Sequence, residues 1–168
     1  MDITTIAKLQ KEGLLLSPLV VDLFKIYTEH IRPVIDSDNL KLEQRRALFK
    51  PTLIVKSDKK QLLANNFELY HLIKSHNLDQ DTLKQNVLVS SLTEEESNLG
   101  IAFFELIEIT SRYKAILDLS IIYTKLNNIL TKDMTQKLFK KNIFSIITFC
   151  TLIGITDRAY HARNTGSV

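Results

Sequence analysis

Four histidines, one cysteine and a scatter of carboxylates are the groups through which this 168-residue chain could do acid–base, nucleophilic or metal chemistry. Glu68 and His71 lie three apart, so on a helix they share a face. Carboxylate-bridged di-metal bundles build their sites from that unit, but they need a second copy of it and two further glutamates. Glu105 and Glu108 offer carboxylates, yet no second Glu-x-x-His occurs. The pair therefore reads as an ordinary helix-face pair, and no metal is expected. Asp157, Arg158, His161, Arg163 and Asn164 crowd the C-terminal end. A histidine acting as acid or base beside an arginine that stabilises phosphorane-like charge would cleave RNA. Arg158 and His161 are the pair on which such a reaction would centre. They stand only three apart, and no histidine follows Arg163-Asn164, so a basic helix end is the simpler reading. Cys150 sits inside the apolar run Ile143–Ile155 and reads as a buried, inert thiol. A lone cysteine forms no intramolecular disulfide and builds no cysteine zinc site. No Ser-His-Asp set, phosphate loop or dinucleotide fingerprint is present, and Gly13, Gly100, Gly154 and Gly166 are isolated. These readings assign no catalytic residue and no cofactor, and they argue against an enzyme.

The elements that position these groups read as helices. Hydrophobic residues make up 45% and charged residues 24%, with four Gly, three Pro and no Trp. Turn-formers are scarce, so elements are long, and apolar spacing is mostly three and four. Asp2–Glu12 reads as a short helix stopped by Gly13. Ser17-Pro18 opens a second helix, with a stop or kink before Pro33. Asp38–Lys50 is a third, ended by Pro51. The run Thr52–Lys56 has strand character but no evident partner, and reads as extended linker. Ser57 or Asp58 caps a helix through Leu62, Leu63, Phe67 and Ile73, and Asp79 or Asp81 opens a shorter one through Leu83, Val87 and Leu88. As a DNA-reading helix-turn-helix, Phe67–Leu92 would press Asp79 and Asp81 against phosphate, so it reads as a core αα-hairpin. Thr93 and Glu96 form a capping box before a long apolar pattern from Leu99 to Leu130, with a break expected near Thr110–Tyr113. Asp133 or Thr131 caps the last long helix, which runs to Gly154. It is apolar nearly all round from Ile143, and is expected to be innermost. The expected fold class is all-α: an irregular bundle of six to eight helices packed around Leu138–Ile155. One domain spans residues 1–164, with a flexible tail at 165–168.

Charge is unevenly placed along this chain. Between Asn39 and Lys60 there are seven Lys or Arg against two acids, and from Lys132 to Val168 six against two. Glu94–Glu108 carries five glutamates and no Lys or Arg. Such polarity suits steering toward a charged partner. The expected function is a non-enzymatic helical interaction protein (an adaptor, inhibitor or regulatory subunit) that docks a protein partner through a charge-polarised helix surface. The residues assigned to that surface are Arg45, Arg46, Lys50, Lys56, Lys59, Lys60, Lys137, Lys140, Lys141, Arg158, His161 and Arg163, with Tyr27, Tyr70 and Tyr160 as aromatic anchors. The alternative is a regulatory protein that holds nucleic acid by its phosphate backbone through the basic patches at 39–60 and 132–163. A net charge of +3 and a pI near 8.9 are modest for that role. A homodimer is compatible with the apolar content. Ile143–Ile155 is short for a membrane span, so no membrane insertion is expected, and the expected location is cytoplasmic.

Overall fold

A computed structural model of the chain describes residues 1–57, 60–92 and 97–165. The described residues form ten α-helices and one mixed five-stranded sheet, so the all-α bundle of six to eight helices is corrected to an α/β architecture. The elements in chain order are β1 (Asp2–Thr5), α1 (Ile6–Glu12), β2 (Leu15–Leu16), α2 (Pro18–Ile26), α3 (Ser37–Phe49), β3 (Thr52–Ser57), β4 (Lys60–Leu63), α4 (Phe67–Lys74), α5 (Gln80–Leu83), β5 (Asn86–Leu92), α6 (Ser97–Tyr113), α7 (Leu119–Ile129), α8 (Lys132–Phe139), α9 (Ile146–Ile153) and α10 (Asp157–Thr165). A π-helical turn, Tyr27–Ile31, and a 3-10 turn, Arg32–Val34, carry the chain past Pro33. No helix among the described residues is long and apolar enough to cross a membrane.

The chain divides into two compact units, residues 1–24 with 36–105, and residues 25–35 with 106–168. The first holds the sheet, in the order β1-β5-β3-β4-β2. Thr52–Lys56 is no linker but most of the central strand. It pairs in parallel with β5 (Ile54 opposite Ser91) and antiparallel with β4 (Ile54 opposite Leu63). Its partners were hidden because Leu62-Leu63 and Val87-Leu88 also fit a helical spacing, and short apolar runs do not distinguish strand from helix. Asp79 does cap α5, accepting from Thr82 N–H at 2.8 Å, but the helix lasts one turn and the chain then extends into β5. β1 likewise takes the start of the expected first helix, and α1 ends at Gly13 in the left-handed region (φ 69°).

Side chains alternate across a sheet, and here the two faces differ. Ile54, Leu63 and Val87 lie within 1% of full burial, packed with Ile6 and Leu9 of α1, Ala47 of α3 and Leu69 and Ile73 of α4. Leu53, Leu62, Leu88 and Leu92 point to the other face and stay half-buried.

In the second unit, rings of Tyr123, Phe144, Phe149 and Tyr160 meet at centroid distances of 5.6–6.4 Å, and the Tyr123 hydroxyl donates to the Phe144 carbonyl at 3.0 Å. The expected innermost helix over Leu138–Ile155 is also corrected. Lys140 turns left-handed (φ 57°) and ends α8, and Ser145 caps a new helix by accepting from Thr148 N–H. Ile143 falls in the turn between them, 73% exposed, and Ile147 is 64% exposed. Phe149, Cys150 and Ile153 supply the buried side of α9. Thr131, one of the two proposed caps, accepts from Met134 N–H and starts α8. The Thr93–Glu96 capping box lies outside the described residues.

Candidate functional site

α3 begins where Asp36 accepts from the N–H groups of Asp38 (3.1 Å) and Asn39 (3.0 Å), satisfying donors that a helix start leaves orphaned. It ends at Lys50, before Pro51. Glu43 and Ala47 form its buried side. Three contacts hold it within the first unit. Asn66 Nδ2 donates to the Ala47 carbonyl at 2.8 Å, Gln44 Nε2 to Glu68 Oε1 at 3.4 Å, and Lys50 Nζ stands 3.2 Å from Glu105 Oε2.

The opposite side of α3 carries Lys41, Leu42, Arg45, Arg46 and Phe49, all exposed. Leu42 and Phe49 are seven residues apart, two turns of helix, with Arg45 between them on the same stripe. Phe49 is 82% exposed and Leu42 45%. Aromatic residues and arginine are enriched at protein interfaces relative to the rest of a protein surface. Lys41 pairs with Asp38 at 3.6 Å, and Arg46 binds Glu43. Arg45 makes no ion pair among the described residues.

The other candidate basic residues are dispersed. Lys56 and Lys60 are exposed on β3 and β4, and Lys59 lies outside the described residues. Lys137, Lys140, Lys141, Arg158, His161 and Arg163 belong to the second unit. Several of them are engaged internally. Lys141 Nζ donates to Thr148 Oγ1 at 3.3 Å, His161 Nε2 stands 3.1 Å from Asp157 Oδ1, and Arg163 Nη1 donates to the Lys114 carbonyl at 2.5 Å. Lys114 in turn donates from Nζ to the Ile153 and Gly154 carbonyls, both at 3.0 Å, closing the C-terminal end of α9. The Lys114 contribution was missed, because a lysine distant in sequence announces no capping role. Of the proposed aromatic anchors, Tyr27 and Tyr160 are core residues and Tyr70 is half-buried. Leu42 and Phe49 were missed as well. Their spacing is the same as that of a buried pair, and only the position of Ala47 and Glu43 reveals which side faces inward.

The chemistry-bearing groups do not converge with these. Glu68 is buried and accepts from Gln44, and no group of three His, Cys, Asp or Glu among the described residues could hold a metal. Cys150 is buried, and burial raises its thiol pKa above the ordinary value, with the Asp157 charge acting the same way. A cleft of about 380 Å³ lies over the sheet between α1 and the β3–β4 end. Its floor is Leu9 and Ile54, its charged rim is Asp2, Lys56 and the Lys8–Glu12 pair at 3.9 Å, and no histidine or cysteine lines it. The N-terminus of α4, a place where an anion could bind, is filled by the chain's own Glu105, which accepts from Asn66 N–H at 2.6 Å and Phe67 N–H at 3.1 Å. Comparison with family models, curated proteins and solved structures returns no match.

Proposed function

We propose that this chain is a non-enzymatic interaction protein that docks the solvent face of α3 into an apolar groove rimmed by carboxylates on a partner protein. The observation that carries the reading is Phe49, an aromatic ring left 82% in water at the end of a helix that is otherwise firmly seated. Leu42 and Phe49 supply two apolar anchors at i and i+7, the pattern of helix-in-groove recognition. Arg45, which makes no ion pair among the described residues, supplies a charge that selects an acidic rim and speeds encounter.

Photo-crosslinking tests this. Phe49→p-benzoylphenylalanine is expected to give one discrete adduct in cells, and Lys84→p-benzoylphenylalanine, on another exposed segment, none. The adduct should vanish with Arg45→Glu, and mass spectrometry should place it beside acidic residues of the partner. No adduct, or the same adducts from both positions, overturns the reading. With the purified partner, Phe49→Ala should remove about 2 kcal/mol of affinity, roughly thirtyfold in Kd.

A second reading, binding to a nucleic-acid phosphate backbone, is supported by Arg45, Lys56 and Lys60, which are exposed and make no ion pair among the described residues. It requires gel-shift affinity that falls steeply with salt. Absence of binding at low salt removes it.

A further inference from the structure

The geometry points to a self-association surface on the face of the sheet opposite α1, α3 and α4, separate from the solvent face of α3, where a second copy of this chain packs sheet to sheet. The strand registers place Leu15 opposite Leu62, Leu62 opposite Val55, and Val55 opposite Leu92, so an apolar row crosses β2, β4, β3 and β5. Leu53 and Leu88 flank the row on the same face, and Ile3 extends it onto β1 opposite Leu88. A sheet face left in water ordinarily alternates to polar residues. Here most outward positions are Leu, Val or Ile, with Thr5, Lys60 and Ser90 among the polar ones. Val55 at the centre is 6% exposed and its neighbours half-buried, while Leu15 (42%) and Ile3 (70%) on the two edge strands are exposed. A contiguous apolar patch of this kind marks an interaction site.

Charge selects the occupant. Among the described residues the only charged side chain on this face is Lys60, at the end of β4. An identical face therefore meets it with no like charges opposed at the centre, while Arg45 of α3, unpaired among the described residues, would repel its own copy. A two-fold axis lying between the sheets sets the apolar row across the same row of the partner, at the roughly 10 Å spacing of aligned sheets. Four inter-strand steps of about 4.8 Å and the roughly 20 Å length of β3 give a projected face on the order of 400 Å². That is about half of what each partner contributes to a standard interface of roughly 800 Å² a side, so the dimer is weak and depends on concentration.

Sedimentation equilibrium over a dilution series of the purified full chain tests the inference. The weight-average mass is expected to rise from the monomer value of 19.3 kDa toward twice that. The double variant Ile3→Lys, Leu15→Lys changes two exposed side chains and should hold the monomer mass at every concentration, with an unchanged circular dichroism spectrum. If that variant fails to fold, hydroxyl-radical labelling of the wild type decides. Labelling of Leu53, Leu62 and Leu88 that falls as concentration rises supports the inference, and labelling that stays constant overturns it. A wild type that remains monomeric throughout, or a folded double variant that still dimerises, also overturns it.

Discussion

Glu105 is 7% exposed, and its two carboxylate oxygens answer the first backbone donors of α4 while Lys50 stands 3.2 Å away. The neighbouring asparagines complete the junction. Asn65 Oδ1 accepts from Leu53 N–H at 2.8 Å and its Nδ2 donates to the Pro51 carbonyl at 3.0 Å, which docks the start of β3. Asn66 holds a left-handed backbone (φ 66°), a conformation that asparagine tolerates better than most residues, and its side chain donates to the Ala47 carbonyl and Thr52 Oγ1. Buried donors left without acceptors are expensive. Glu105→Ala should therefore destabilise the protein by about 3 kcal/mol, read from the midpoint of urea unfolding, because it strands two N–H groups and a half-buried lysine. Lys50→Ala should remove no more than about 1 kcal/mol, since that side chain reaches water. Equal losses from the two substitutions would contradict the assignment. None of this junction was legible from sequence. Glu105 stands among five glutamates between Glu94 and Glu108, and nothing local distinguishes the one that folds inward.

Helix boundaries at the element scale were far more legible than strands. Asp79, Thr131, Gly13 and Gly154 stand where their chemistry places them, because a cap acts on backbone groups within three or four residues. Asp36 and Asp79 show the electrostatic side of the same local effect. The Asn39 backbone N–H, followed by its side-chain amide, holds the Asp36 carboxyl below its ordinary pKa of 3.8, and the Thr82 backbone N–H followed by its hydroxyl does the same for Asp79. A depressed folded-state pKa contributes stability that is present above the unfolded value and is lost as pH falls through the folded value. The Tm of wild type should exceed that of Asp36→Ala or Asp79→Ala at neutral pH, and the gap should narrow once pH drops below 3.8. A gap that widens in acid would reverse the sign and reject the account. Strands lack such local marks. β3 bonds to β4 across three to nine residues but to β5 across 37, and its six residues look like linker until both partners are known. The same limit misplaced the centre of the second unit. Apolar residues all round Ile143–Ile155 signalled burial, but a left-handed Lys140 and a Ser145 cap split the run and turned Ile143 and Ile147 outward.

For the molecule as a whole, the two proposed surfaces have opposite physical character, and this makes them separable. The α3 face is basic and is proposed to take a partner unlike itself, whereas among the described residues the sheet face carries one charged side chain, Lys60, and is proposed to take its own copy. Phe49→Glu should abolish docking while leaving the mass distribution in sedimentation unchanged. Ile3→Lys with Leu15→Lys should abolish self-association while the photo-adduct at position 49 persists. Loss of both activities in either variant would merge the two surfaces into one. Stability should hardly respond to Phe49→Glu, because a ring already in water gives up little burial on removal. From the sequence by itself one could read many of the amphipathic helices, the caps at Asp79, Thr131, Gly13 and Gly154, the buried thiol and the concentration of positive charge at 39–60, since each depends on neighbours within a turn or two. The tertiary structure decided that a sheet exists, that Glu43 and Glu105 draw Arg46 and Lys50 into pairs while Arg45 stays exposed, and that Phe49 faces water. Those outcomes depend on hydrogen bonds and packing between residues far apart along the chain, and apolar or charged spacing is the same whichever side of an element the core lies on.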